Sequence, residues 1–155
     1  MALYLSRQEA AAGNLLRRVF EDSTPRQREQ HAEVVVRARL LFSQLLVQRG
    51  ELATAVEELR GVLARNRHCS AGWSQLGWLH ERQGDHAEAS EAYQKAWALS
   101  LENDPAVGFR VAFNYLKSGD PVRAIDVSKK VLARHATYPC IEEEVLKVGY
   151  TMLKP

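Results

Sequence analysis

Apolar residues recur every three to four positions along almost the whole chain, a spacing that predicts helices and nowhere the strict alternation of a strand. Leu5, Ala12, Leu15, Leu16, Val19 and Phe20 fall on one side of a helix over residues 3–20. Similar stripes run through residues 36–69, 70–104 and 105–138, and a last one through residues 141–153. Three glycines punctuate the pattern: Gly50, Gly84 and Gly119 stand at intervals of 34 and 35 residues. Each is followed at once by an acid (Glu51, Asp85, Asp120) and five residues later by an alanine (Ala55, Ala89, Ala124). Glycine supplies the left-handed residue that ends a helix, and the acid suits the start of the next. The chain therefore reads as helix, tight turn, helix, three times over.

The middle unit states the chemistry most fully. Trp73, Leu76, Gly77, Ala89, Tyr93 and Ala96 occupy the signature positions of the tetratricopeptide repeat, which this stretch resembles. It departs at His80, where an aromatic is usual, and at Leu101, where proline is usual. Two antiparallel helices approach to about 8–10 Å only where the side chains between them are small. Gly77 and Ala89 meet that need, and Trp73, Leu76 and Tyr93 fill the space to either side, each contributing about 2–3 kcal/mol by burial. A single repeat leaves an apolar face for its neighbour, so the resemblance implies an all-α fold, a right-handed superhelix of stacked antiparallel helix pairs.

The expected organisation is a helix within residues 1–24, repeats over 25–69, 70–104 and 105–138, and a capping helix over 139–155. In the first repeat Phe42, Ser43, Leu46, Ala55, Leu59 and Val62 take core positions, Arg39 stands where tryptophan would, and Pro25 is expected to start an extended first helix. The third repeat places Val111, Ala112, Tyr115, Ala124 and Val131 in the core and departs at Gly108 and Ser128. Residues 1–24 read as the second helix of a repeat whose first is missing, as expected of a piece of a longer solenoid with Met1 an artificial start. The final helix carries a stripe of Ile141, Val145, Val148 and Met152 expected to cover the third repeat. A second apolar set, Leu146, Tyr150 and Leu153, lies on another side. It either wedges into the third repeat or binds a partner protein.

A narrower resemblance lies toward the C-terminus. The stretch 105–117, with Phe109, Arg110, Phe113, Tyr115 and Lys117, and the later Ala124, Ile125, Asp126, Val127, Val131, Leu132, Thr137, Tyr138 and Pro139 resemble the C-terminus of the tetratricopeptide subunit of intraflagellar transport complex A. The resemblance spans about residues 66–155. It implies a subunit of a ciliary or flagellar train working in retrograde transport, with other complex A subunits as partners. Periodicity by itself supports only a protein-binding scaffold.

Charge and composition narrow the remaining classes. The chain has 21 basic and 19 acidic residues, a net charge of +2, and its arginines are interrupted by acids, so no nucleic-acid partner is expected. No apolar run approaches the ~20 residues of a membrane span, and no secretory signal is evident, so an intracellular compartment is expected, the cilium where the narrower resemblance holds. Cys69 and Cys140 lie far apart and read as free thiols. His31, His68, His80, His86 and His135 show no metal-ligand spacing, and His80 reads as a packed core imidazole. The run Glu142, Glu143, Glu144 suits the first turn of a helix. No phosphate-binding glycine loop, nucleophile elbow or carboxylate pair is present, so no enzyme activity, cofactor, metal or small-molecule substrate is expected.

The candidate binding groove lies along the first helices of successive repeats, as the family resemblance implies. Its residues are Gln75, Trp78 and Arg82 in the second repeat and Phe109, Arg110, Phe113 and Lys117 in the third. Aromatic residues beside cations are the composition of interface hot spots, although Trp78 and Phe113 would also serve to pack the next helix. The carboxylate clamp of chaperone-binding relatives is mostly missing: Leu40 and Gln44 stand where lysine and asparagine are needed, and Arg110 alone coincides. A peptide adaptor unrelated to transport and a regulatory repeat domain of a larger enzyme are the rival readings.

Overall fold

The computed structural model describes residues 32–154 continuously, with isolated positions before residue 32. Apart from those positions, the helix expected before Pro25 lies outside the described residues, as do residues 27–31 of the extended first helix. Among the described residues all regular structure is helical. The chain divides into two compact units, Met1–Arg67 and His68–Pro155.

The first unit holds α1 (Ala32–Gln48) and α2 (Leu52–Arg65), which pack against each other. Phe42, Ser43 and Leu46 of α1 and Ala55, Leu59 and Val62 of α2 are all buried, the core set expected from spacing. Arg39, at the usual tryptophan position, reaches across to α2, where its guanidinium donates to Glu58 Oε2 at 2.6 Å. An ion pair there stands in for an aromatic contact.

The second unit runs through α3 (Ser70–Gln83), α4 (His86–Leu99), α5 (Pro105–Lys117) and α6 (Pro121–Arg134), each packed on the next. Its core is a continuous cluster that includes Tyr93, Trp97, Val111, Tyr115, Val131, Ile141 and Val145.

The three repeated turns share one construction. Gly50, Gly84 and Gly119 adopt φ of 80°, 84° and 86°. In each, the N–H of the following acid donates to a carbonyl five residues back: Glu51 to Leu46 at 2.9 Å, Asp85 to His80 at 2.9 Å, Asp120 to Tyr115 at 2.8 Å. This is the Schellman closure, which satisfies carbonyls left open at a helix end. The acid's side chain is a separate matter. Asp120 accepts from the Arg123 N–H at 2.9 Å, whereas Asp85 and Glu51 make no side-chain cap. The recurring acid therefore works at all three turns through its backbone and at one through its carboxylate. Hydrogen bonds from the Arg123 backbone and guanidinium hold the Asp120 carboxyl below the usual carboxylate range.

At Leu101, the position where proline is usual, the chain turns through two left-handed residues, Leu101 (φ 55°) and Glu102 (φ 58°). Arg134 Nη1 donates to both of their carbonyls, at 2.9 and 2.7 Å, tying this turn to the end of α6. A side chain 33 residues away does the shaping that proline does elsewhere.

The departures at Gly108 and Ser128 have a packing cause. A Cβ at Gly108 would lie 2.5 Å from Val131 Cγ2 and 3.0 Å from Trp97 Nε1. Gly108 stands where Trp73 stands one repeat earlier, and the missing volume is supplied by Trp97 of α4, 1% exposed. Ser128, where Tyr93 stands one repeat earlier, is fully buried, its hydroxyl bonded to the Ala124 carbonyl at 2.8 Å. Ala112 replaces Gly77 in the same comparison, so Gly and Tyr in one repeat become Ala and Ser in the next.

The final helix differs from expectation. Cys140 is left-handed (φ 68°), and residues Ile141–Leu146 form a π-helical segment before α7 (Lys147–Met152). A π-helix has more residues per turn than an α-helix, so the buried face advances in steps of four. It consists of Ile141, Val145 and Gly149. Val148 and Met152, expected to be in the core, are 43% and 49% exposed. Gly149 lets Ile125 and Leu116 close in, since a Cβ there would meet Ile125 Cγ1 at 3.0 Å.

Candidate functional site

Two side-chain groups occupy the first helices of the second unit, one buried and one exposed. The buried group begins at Gly77, where a Cβ would lie 2.8 to 3.0 Å from the Tyr93 ring. With no side chain in the way, the Tyr93 ring packs against α3 at this point, and burial together with the nearby Glu81 carboxylate pushes its pKa up. Glu81 receives Arg110 Nη1 at 2.5 Å and Asn114 Nδ2 at 3.2 Å. Asn114 is fully buried and uses both of its N–H donors: Nδ2 donates again to the Arg110 carbonyl at 2.8 Å, and Oδ1 lies 2.8 Å from His86 Nδ1. The network joins α3, α4 and α5.

This network fixes the role of one groove candidate. Arg110 is committed to Glu81, so its charge is neutralised at the helix interface. The sequence places Arg110 on the groove face and leaves Glu81, 29 residues away, unmarked as its partner. It marks His86 only as a histidine without metal-ligand spacing and does not mark Asn114; the available signal was an asparagine flanked by Phe113 and Tyr115 inside an apolar helix.

The exposed group consists of two aromatic–cation pairs. Arg82 lies over the Trp78 ring, its guanidinium carbon 4.9 Å from the centroid, and Lys117 lies 5.4 Å from the centroid of Phe113. Both are i, i+4 pairs, and they occupy equivalent positions of consecutive repeats. Trp78 is 37% exposed, Arg82 and Lys117 are exposed, and Phe113 is half-buried. Gln75 is half-buried on the same helix as Trp78. Phe109 turns toward the end of the unit, its ring 6.0 Å from those of both Phe113 and Tyr138.

Trp73 is also half-buried, with Lys95 Nζ 4.4 Å from its ring centroid. His80 is a packed imidazole, its side chain 12% exposed and its Nδ1 3.9 Å from Asp85, beyond hydrogen-bond reach. In the terminal helix Leu146 is half-buried, while Tyr150 and Leu153 are 46% and 49% exposed. With Val148 and Met152 they make an apolar outer surface larger than the sequence led one to expect. Among the described residues no group of histidine, cysteine or carboxylate side chains could hold a metal ion, and no helix is long and apolar enough to cross a membrane.

Comparison with known proteins agrees with this architecture. Residues 1–149 match the family model of the tetratricopeptide repeat protein 21 C-terminal ARM domain. The chain is 40% identical over 124 residues to tetratricopeptide repeat protein 21B of Xenopus laevis and 36% identical over 124 residues to protein 21A of Mus musculus. Each alignment covers 80% of this chain, which spans only 10% and 9% of those relatives. Among solved structures, MamA superposes with a TM-score of 0.61 at 18% identity, over 84% of this chain and 76% of MamA. The Yersinia enterocolitica type III secretion chaperone SycD, in complex with a peptide of the translocator YopD, gives 0.59 at 18% identity, over 76% and 88%. These structural likenesses establish a shared helical-repeat fold.

Proposed function

The chain belongs to the tetratricopeptide repeat protein 21 family, and from that premise we propose that it is the C-terminal protein-binding part of an intraflagellar transport complex A subunit, acting in retrograde ciliary or flagellar transport. As a helical-repeat module it is a scaffold for protein interaction. Its partners in this reading are other subunits of the complex, and its place of work is the cilium. The narrower resemblance across residues 66–155 supports the assignment, and the family match over residues 1–149 carries it. No catalytic role is assigned; the polar side chains Glu81 and Asn114 are engaged with Arg110 and His86.

Two surfaces are the proposed interfaces. One is the groove of Gln75, Trp78, Arg82, Phe109, Phe113 and Lys117, with Arg110 supporting it through Glu81. The other is the outer face of the terminal helix, Leu146, Tyr150 and Leu153, enlarged by the exposed Val148 and Met152. Exposed apolar side chains grouped on one helix fit a neighbouring subunit.

The second surface is tested by the double variant Leu146→Glu, Leu153→Glu. Leu153 is half exposed and Leu146 lies outside the fully buried Ile141–Val145–Gly149 face, so the melting temperature should fall by only a few degrees. Recovery of complex A subunits with the parent protein should drop at least about tenfold, the equivalent of about 1.4 kcal/mol. Full recovery with the fold intact would remove the terminal helix from the interface.

A further inference from the structure

We propose that the face bearing the Trp78–Arg82 and Phe113–Lys117 pairs binds an acidic, apolar-containing peptide segment, held internally and not by its C-terminal carboxylate. The proposal rests on the scaffold reading and names the class of ligand for its groove.

The argument begins with charge. Arg110 is the third cation on these two helices, but Glu81 neutralises it at 2.5 Å and the Asn114 hydrogen bond holds that carboxylate in place. Arg82 and Lys117 have no carboxylate partner among the described residues, each resting instead on its own aromatic ring. The face therefore carries two positive charges without a carboxylate partner among the described residues. A cation stacked on a ring keeps its outer donors directed to solvent and loses little freedom when a carboxylate arrives.

The geometry repeats. Both pairs use the same two positions of their repeats, so the second pair is the first moved along by one repeat. The Glu81–Arg110 bond ties α3 to α5, which stand about 10 Å or more apart, at or beyond the upper end for directly packed helices. Three residues of an extended peptide, or two turns of a helix, cover about the same distance. A segment with two carboxylates at that separation and an apolar side chain beside each would meet both pairs at once. Two cations are too few for a nucleic-acid backbone, whose binding depends on many neutralised phosphates. The polar residues of a C-terminal clamp are absent at Leu40 and Gln44.

The test is selection of a random sixteen-residue peptide library displayed at the N-terminus of a phage coat protein, so that no free C-terminus is offered. The purified chain is expected to enrich sequences with two or more Asp or Glu among apolar residues. Synthetic versions of the selected peptides should lose about tenfold in affinity against Arg82→Glu, Lys117→Glu, and bind more weakly at high salt. All four side chains lie outside the core cluster apart from Phe113, so circular dichroism of the two cation variants should match the parent chain. Enrichment of neutral or basic peptides would overturn the proposal. So would no enrichment, affinity unchanged by charge reversal, or equally tight binding of a labelled single-stranded RNA. Each of those outcomes could occur with complex A subunits still co-purifying, in which case the scaffold reading would stand and the acidic ligand alone would fall.

Discussion

Gly77→Leu is expected to destabilise the second unit by about 3 kcal/mol or more, the largest effect of any single substitution on α3. A Cβ alone would sit 2.8 Å from Tyr93 Cγ, well inside van der Waals contact. The ring cannot yield cheaply, because Tyr93 is buried within the core cluster of the unit. Leucine would either drive α3 and α4 apart or force the Tyr93 ring out of its buried place. Urea denaturation followed by circular dichroism should show the midpoint falling sharply, with Gly77→Ala intermediate. A Gly77→Leu protein that unfolds at the parent's midpoint would mean that the α3–α4 crossing is not where the structure puts it.

Trp97→Ala is expected to cost about 3–5 kcal/mol, as for other large buried aromatics, and to change the response at Gly108. Trp97 is 1% exposed, its indole nitrogen has no hydrogen-bond partner, and its ring occupies the room that Gly108 leaves open. In the parent chain Gly108→Val should be strongly unfavourable, since its Cβ would meet both Trp97 and Val131. In the Trp97→Ala background the same change should cost less, by about 1 kcal/mol or more of coupling. The rescue should be partial, because Val131 Cγ2 remains 2.5 Å from the new Cβ. Additive effects in a double-mutant cycle would show that the two positions do not share a volume.

The two predictions separate what is legible in the chain from what is not. The Gly77–Tyr93 crossing follows from spacing, because a small residue facing a large one is a local requirement of every close helix pair and repeats with the turns. The Gly108–Trp97 exchange does not, since it moves volume from one repeat to the helix before it, and nothing in the spacing marks Trp97 as the substitute. The terminal helix departs from its pattern for a different reason. Alpha-helical steps run the stripe through Val148 and Met152, whereas the left-handed Cys140 and the π-helical turn after it move the buried face to Gly149. No residue pattern announces a π-helical turn.

The site divides the same way. Trp78 with Arg82 and Phe113 with Lys117 are four residues apart, so their pairing on one helix face is visible in sequence. The contact that silences Arg110 joins residues 29 apart on different helices, and only the fold brings Glu81 to it. Asn114 and His86 read as ordinary polar helix residues until the chain is folded, when Asn114 proves fully buried.

The assembly role is tested most directly by affinity purification of the parent protein from ciliated cells, with quantitative mass spectrometry of what accompanies it. Other complex A subunits should be recovered in amounts comparable to the bait, and deletion of the segment homologous to residues 1–155 should reduce them. Complex A subunits at background level around an intact, ciliated-cell bait would contradict the assignment and leave a helical-repeat scaffold for some other set of proteins.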